Sequence, residues 1–485
     1  MRGLGLLLGL AAGCGGGGAG GDFLWGSATA GFQVDMGCPT LPAIECHDAA
    51  SDWYQWVTTP EIVRNANLHV TGETVNAGPG MWELFEEDVA RMKADGHNSY
   101  RFSLEWSRLF PFEEAAEATT VDELDAYARP AVVQRYRDML RALRDAGIEP
   151  LVTVNHYVLP LWVHDGVACH NNLQTCSAKG WVDAERTTRL IALFAGWAGA
   201  TFGDEVDTWC TLNEPFATTL AGYLQPGEDR SAPPGRSFDG DSVVITLRAQ
   251  IEAHAAMVDA LREHDQHDAN RDGADTFIGI VMNMVDIHPK DAAREADVEA
   301  AVRADHIYHD LFLSAVTTGD WDDDLDGSFD RQRSELAGRL DWVGVNYYNR
   351  MDVAWLGGFK PLGELVPAFD FAPEFSWDPH PEGLEPVLKR AGAYGLPVIV
   401  TENGTPHLDQ ASDVLRGHVH AMERAVADGV DVRGYHVWSF IDNYEWNHGM
   451  DMRFGLYTFD PVTKQREKRP VADVYAGIIA AGGAD

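Results

Sequence analysis

The chain has 485 residues, is 45% hydrophobic and carries a formal net charge of −38. Its length, near three average domains, also lies within the range of one α/β barrel, and its hydrophobic share supports a large core. With 37 Lys+Arg against 75 Asp+Glu, it lacks the basic face that phosphate-backbone binding needs, so nucleic acid is not an expected partner.

Residues 1–21 read as a targeting segment. Met1-Arg2 puts one positive charge ahead of a short apolar run, Leu4 to Ala12; Ala11-Ala12-Gly13-Cys14 follows, and Gly15 to Gly21 is almost all glycine. The pattern resembles a bacterial lipoprotein signal, with Cys14 as the lipidated residue and a flexible tether behind it. An ordinary secretory signal, leaving a soluble secreted or periplasmic protein, is the alternative. The apolar run is too short to span a bilayer, so the membrane is expected only through a lipid anchor. The expected organisation is therefore residues 1–21 as signal and tether, and residues 22–485 as one domain.

Cysteine usage agrees with export. Cys38 and Cys46 lie close together in a polar segment, as do Cys169 and Cys176, and two local disulfides are expected in an oxidising compartment. Zinc is the competing reading, with His47 and His170 beside cysteines, but the spacings fit a structural zinc site poorly. Cys210, inside a strand pattern, reads as a small buried hydrophobe.

Strand-like apolar runs fall at Phe23–Ala28, Ser99–Trp106, Pro150–His156, Val206–Asn213, Phe277–Val285, Leu340–Tyr347, Pro397–Glu402 and Gly434–Phe440. Helical patterns lie between them, among them Met81–Ala94, Ala131–Ala146, Ala184–Thr201, Val243–Glu263, Glu382–Ala393 and Ser412–Asp428. This alternation predicts an α/β protein, a single (β/α)8 TIM barrel. Two of the runs end in a glutamate: Thr211-Leu212-Asn213-Glu214-Pro215 and Thr401-Glu402-Asn403-Gly404. Carboxylates at the C-terminal ends of different parallel strands can face each other across one pocket. Such a pair is the minimum equipment for cleaving a glycosidic bond through a cation-like transition state.

Further motifs follow in order: Phe23-Leu24-Trp25-Gly26-Ser27-Ala28-Thr29-Ala30 with Gln33, Tyr100-Arg101-Phe102-Ser103-Leu104-Glu105-Trp106-Ser107-Arg108, Asn155-His156-Tyr157-Val158-Leu159-Pro160, Asn346-Tyr347-Tyr348, and Trp438-Ser439-Phe440-Ile441-Asp442-Asn443-Tyr444-Glu445-Trp446. With the two glutamate motifs, they make the chain resemble glycoside hydrolase family 1, the β-glucosidase/β-galactosidase family, and most closely the archaeal β-glycosidases. The resemblance runs from Phe23 to about Tyr475. It implies a retaining exo-β-glycosidase acting on β-linked glycosides or oligosaccharides, β-glucosides first and perhaps β-galactosides or β-fucosides. No cofactor is implied for catalysis. Glu402 is implied as nucleophile and Glu214 as acid/base, with carboxyl groups about 5–5.5 Å apart. Arg101 and Tyr348 would contact the nucleophile, and the guanidinium is expected to lower its pKa and keep it ionised. Asn213 would hold the sugar 2-hydroxyl. Gln33, His156, Glu445 and Trp446 would bind the other hydroxyls over a floor formed by Trp438. Trp377, in Ser376-Trp377-Asp378-Pro379-His380-Pro381-Glu382-Gly383, would face the leaving group. A carboxylate at Glu445 repels a 6-phosphate, so unphosphorylated sugars are expected.

Tyr157, Val158 and Met450 depart from the family pattern. They are expected to alter aglycone preference and packing about the sugar 6-position, and to leave the chemistry alone. A transglycosidase on the same site, or a non-catalytic sugar-binding receptor on the same barrel, are the alternatives; the fold alone does not grant activity. Outside the family pattern, Asp322, Asp324, Asp326 and Asp330 sit at positions 1, 3, 5 and 9 of a loop with Gly327 at 6, resembling a Ca²⁺ loop without its twelfth ligand. Asp268, Asn270 and Asp272 open a second loop in the same way. Calcium as a structural ion is weighed there against an ordinary acidic turn.

Overall fold

A computed structural model describes residues 23–228 and 230–484. The expected signal, the tether and Cys14 lie outside the described residues. Eight parallel strands close into a barrel: Leu24–Ala28, Ser99–Ser103, Glu149–Asn155, Thr208–Asn213, Phe277–Asn283, Trp342–Tyr347, Val398–Asn403 and Val432–Trp438. They are called the first to eighth strands below. Each lies on one of the eight expected runs. They carry near-continuous apolar or small residues because helices cover them outside and side chains fill them inside. The Ser99–Trp106 run is cut at Ser103, and the chain turns into a short helix at Trp106–Leu109.

Helices Met81–Ala94, Pro130–Ala146, Ala184–Phe202, Gly240–His264 and Ala411–Ala427 fall within a few residues of their expected bounds. Local signals set the ends. Pro130 opens its helix, where a missing N–H leaves no bond unmade, and Gly147 closes it at φ 74°. The expected Glu382–Ala393 helix divides into a tight turn, Pro381–Gly383, and a helix, Leu384–Gly392.

The lower barrel is plugged by Leu151, Cys210, Val281, Trp342 and Ile399, all buried. Gly279 is required there: a Cβ at that position would lie 2.2 Å from the Trp342 ring. Cys210 is buried and free, whereas Cys38 is joined to Cys46 and Cys169 to Cys176. Among the described residues no helix is long and apolar enough to cross a membrane.

One element escaped the sequence reading. Asp286–Pro289, Arg350–Trp355 and Phe371–Ser376 form a three-stranded sheet beside the barrel, with Arg350 opposite both Asp286 and Ser376. It leads directly into Trp377.

The first acidic loop folds back between two short strands, Asp320–Trp321 and Arg331–Gln332. It brings the carboxylates of Asp322, Asp324 and Asp330 within 4.8 Å of one another. Asp326, expected as a fourth ligand, is not among them. Its Oδ1 instead accepts from the backbone N–H of Ser328 at 2.9 Å and from its hydroxyl at 2.6 Å, a local turn that competes for the carboxylate. In the second loop, the Asp268 carboxylate accepts the N–H groups of Asp272 and Gly273, both at 3.0 Å.

Candidate active site

A cleft opens beside the C-terminal ends of the strands, lined by Gln33, His156, Glu214, Tyr348, Trp377, Glu402, Trp438, Glu445 and Trp446. Arg101 and Asn213 do not line it; Arg101 joins Glu402 to Asn213, and Asn346 joins Asn213 to Glu214. All the residues expected at the sugar site are therefore assembled here, from seven of the eight strands and the loops that follow them.

The two glutamates are aimed by the same device. The fourth strand slips by one residue against the fifth between Cys210 and Asn213, and the seventh slips against the sixth between Val400 and Glu402. A one-residue bulge re-aims the side chains beyond it, which is why bulges recur beside active sites. Glu214 then turns further, with φ 44° and ψ 64°, before Pro215 starts a helix. A left-handed non-glycine residue costs roughly 1–2 kcal/mol. Tyr157 (φ 70°) and Trp446 (φ 51°), also in the cleft wall, share this conformation, so backbone strain gathers at the site.

Glu402, 4% exposed, faces the only cation in direct contact with either carboxylate among the described residues. Arg101 donates from Nη1 to Glu402 Oε1 at 2.6 Å, and Tyr348 donates its hydroxyl to Oε2 at 2.6 Å. Arg101 also donates to Thr153 Oγ1 at 3.1 Å and to Asn213 Oδ1 at 2.7 Å. Glu214, 6% exposed, has neutral partners. Asn346 Nδ2 donates to its Oε1 at 2.7 Å, Asn283 Nδ2 donates to Oε2 at 3.3 Å, and the Tyr157 hydroxyl donates to Oε2. Asn346 is itself held by Thr401, whose hydroxyl donates to its Oδ1 at 2.8 Å.

The electrostatics correct one expectation. Burial pushes Glu402 up to about 7; Arg101 opposes this most, Glu214 adds to it, and hydrogen bonds from Tyr348 and Arg101 pull it back. The guanidinium lowers the carboxyl as expected, but desolvation exceeds it. Glu445 is likewise pushed up to about 7 by burial, against a hydrogen bond from Asn443.

His156 is held neutral, because burial and the Arg101 charge lower its pKa well below the usual value. Asn213 Oδ1 accepts from Arg101 and from Asn346, so its amide N–H faces His156 Nε2 at 3.1 Å. An Nε2 that accepts leaves the proton on Nδ1. Among the described residues, that Nδ1 and Gln33 Oε1 are buried without a hydrogen-bond partner. Buried polar atoms are nearly always paired, so these two mark where a hydroxylated ligand completes the site. The imidazole stacks on Trp438 and Trp446, at 5.9 Å from each, and Trp446 packs on Trp53 at 4.5 Å. Gln33 Nε2 and Asn443 Nδ2 donate to Glu445 Oε2 at 3.1 and 2.5 Å.

Three further residues matter. Asn346 and Asn283 bind Glu214; Asn346 lay inside a recognised motif, whereas nothing in the local sequence singled out Asn283. Tyr157 was expected to bear on aglycone preference and sugar 6-position packing alone, yet its hydroxyl donates directly to Glu214. Val158 and Met450 pack instead against Phe32, Trp53 and Tyr444, behind the cleft wall.

A closed parallel barrel with two buried carboxylates at its C-terminal end, one on a guanidinium and one among neutral donors, defines a glycosidase-class site. The family model for glycosyl hydrolase family 1 matches residues 19–484. The chain is 31% identical over 509 residues to a β-galactosidase of Pyrococcus woesei, covering 95% of this chain and 97% of the relative. It is 33% identical over 501 residues to a β-galactosidase of Saccharolobus solfataricus, covering 95% of each. The crystal structure of the β-glycosidase from Thermosphaera aggregans superposes with a TM-score of 0.80 at 27% identity, covering 96% of this chain and 97% of that one. The chain belongs to glycosyl hydrolase family 1 and is a glycoside hydrolase.

Tyr348→Phe removes a donor that favours ionised Glu402. The acid limb of the kcat/KM profile should therefore move to higher pH, with activity at pH 6 falling roughly tenfold or more, the worth of a hydrogen bond to a charged group. A uniform loss at every pH, with the limb unmoved, would show that Tyr348 does not tune Glu402.

Proposed function

We propose that the protein is a retaining exo-β-glycosidase in which Glu402 is the nucleophile and Glu214 the acid/base. The division of partners carries this reading. Glu402 touches Arg101, a cation that favours the ionised form, whereas among the described residues Glu214 touches uncharged donors alone. In the first step a Glu402 oxygen attacks the anomeric carbon while Glu214 gives its proton to the departing oxygen, leaving a glycosyl ester on Glu402. In the second step Glu214 takes a proton from water, whose oxygen attacks the same carbon and frees Glu402. Asn213 is assigned the sugar 2-hydroxyl by the family resemblance; its Oδ1 is held by Arg101 and Asn346. Gln33, His156, Glu445 and Trp446 close the inner end of the cleft around one terminal sugar, and Trp377 lies on the leaving-group side.

The substrate class is an unphosphorylated β-glucoside or β-galactoside. Relatives named β-galactosidase and β-glucosidase support that range, and the Glu445 carboxyl at the inner end disfavours a phosphate. No observation favours the transglycosidase or receptor alternatives. Glu402→Ala should lose several powers of ten in kcat on every aryl glycoside. Glu214→Ala should lose as much in kcat/KM on alkyl glycosides but far less in kcat/KM on p-nitrophenyl β-glucoside, whose leaving group needs little protonation; its kcat there should still fall, because the second step loses its base. Equal, small effects of both substitutions on both substrates would reject the assignment.

We also propose that the protein is exported and anchored through Cys14, with the remainder a single barrel domain. The sequence pattern of residues 1–21 and the two loop disulfides support this. Cell fractionation should recover the wild type with membranes and Cys14→Ser in the soluble fraction. Recovery of both in the same soluble fraction would reject the anchor.

A structural Ca²⁺ at Asp322, Asp324 and Asp330 is the third proposal, supported by their convergence. Repulsion from Asp326, Asp330 and Asp322 adds to desolvation in raising the Asp324 pKa, and a cation would relieve it. An ion bound only by the folded state stabilises it by mass action. Excess calcium should raise the melting midpoint over that in chelator, and Asp324→Ala should abolish the difference. An unchanged wild-type midpoint leaves the loop an acidic turn.

A further inference from the structure

Beside the cleft, a second group of side chains serves none of these functions. Asp286 and His288 alternate on the strand Asp286–Pro289 and so project from the same face of the small sheet. His380 reaches them from the segment that follows Trp377. The Nε2 atoms of both histidines lie 2.8 Å from one oxygen, Asp286 Oδ2. One ligand atom from each of the three residues lies within 4.8 Å of the other two. The two imidazoles meet at 82° and do not stack; it is their shared contact with Asp286 Oδ2 that brings the two Nε2 atoms together.

We propose that Asp286, His288 and His380 form a binding site for a divalent transition-metal ion of the zinc class, bridging the small sheet and the loop that carries Trp377.

The donor set is two imidazoles and one carboxylate. It suits zinc and its neighbours, whereas calcium and magnesium take oxygen alone. Zinc lies about 2.0–2.2 Å from such atoms, which places tetrahedral ligands about 3.3 Å apart. The 2.8 Å contacts need to open by only some tenths of an ångström. A supporting shell is already present. His380 Nδ1 lies 3.2 Å from the exposed carboxylate of Glu382, which adds negative charge beside the site. The Tyr347 hydroxyl donates to the His380 carbonyl at 2.7 Å and fixes the backbone. His288 has a side chain 39% exposed, which leaves an ion a route in and room for water as a fourth ligand. The oxygen-only group at Asp322, Asp324 and Asp330 contains none of these residues and is expected to discriminate in the opposite sense. A metal here would also tether the chain three residues from Trp377 without touching either catalytic glutamate.

The test uses the full chain, stripped with chelator and titrated calorimetrically with Zn²⁺. One equivalent should bind, Co²⁺ should take the same site with the intense visible absorption of a tetrahedral ion, and Ca²⁺ should not displace either. His288→Gln and His380→Gln should each weaken zinc binding at least tenfold. His288 is partly exposed and its variant should melt like the wild type, so lost binding is not lost folding. No stoichiometric zinc binding, or binding that survives both histidine substitutions unchanged, would overturn the site. The readout is independent of glycosidase activity, so its failure would leave the assignment of Glu402 and Glu214 intact.

Discussion

The site depends on one buried ion pair. Arg101 is 0% exposed and lies in the upper barrel, 2.6 Å from Glu402. Removing either partner would strand a charge in a dry interior, at a cost of about 3–5 kcal/mol. The guanidinium has five donors in a rigid fork, and the surroundings are arranged to receive them. Thr153 on the third strand, Asn213 on the fourth and Glu402 on the seventh all accept from it. One side chain on the second strand thus ties together strands on opposite sides of the barrel. Beneath it, Trp342 and its neighbours fill the interior where Gly279 leaves room.

From this anchor the two carboxylates acquire different characters. Asn213 and Asn346 connect them: Asn346 binds Glu214 and also donates to Asn213 Oδ1 at 3.1 Å, the oxygen that receives Arg101. The positive charge nevertheless makes direct contact with Glu402 alone. Burial still pushes Glu402 up to about 7, so Arg101 moderates desolvation without overriding it. Arg101 and Tyr348 favour the ionised form of Glu402 and the neighbouring Glu214 opposes them, so each of the three is a lever on the pH profile.

Much of this was legible in the residues. The eight strands appear as apolar runs because parallel strands are buried on both faces, and both glutamates appear where such runs stop. Tryptophan was less informative. Trp438 is as buried as core tryptophans yet forms the cleft floor, so burial alone could not separate the two uses. Contacts between distant elements were harder still. Asn283 reaches Glu214 only because the barrel sets the fifth strand beside the fourth, and Tyr157 reaches it through a left-handed turn that no local pattern announced. The three-stranded sheet hid because its strands are short and half-exposed, with a proline at Pro373 and another at Pro289. Asp326 matched a ligand spacing but is taken by its own turn, a competition that spacing cannot reveal.

The account turns on Glu402 forming the covalent bond, and trapping tests that directly. A 2-deoxy-2-fluoro-β-glucoside with a good leaving group slows the second step more than the first, so the glycosyl ester should accumulate. Peptide mapping by mass spectrometry should then place one fluoroglucosyl group on Glu402, released slowly as enzyme activity returns. An adduct on Glu214, or no adduct together with a first-formed α-anomeric product, would contradict the assignment of the two carboxylates.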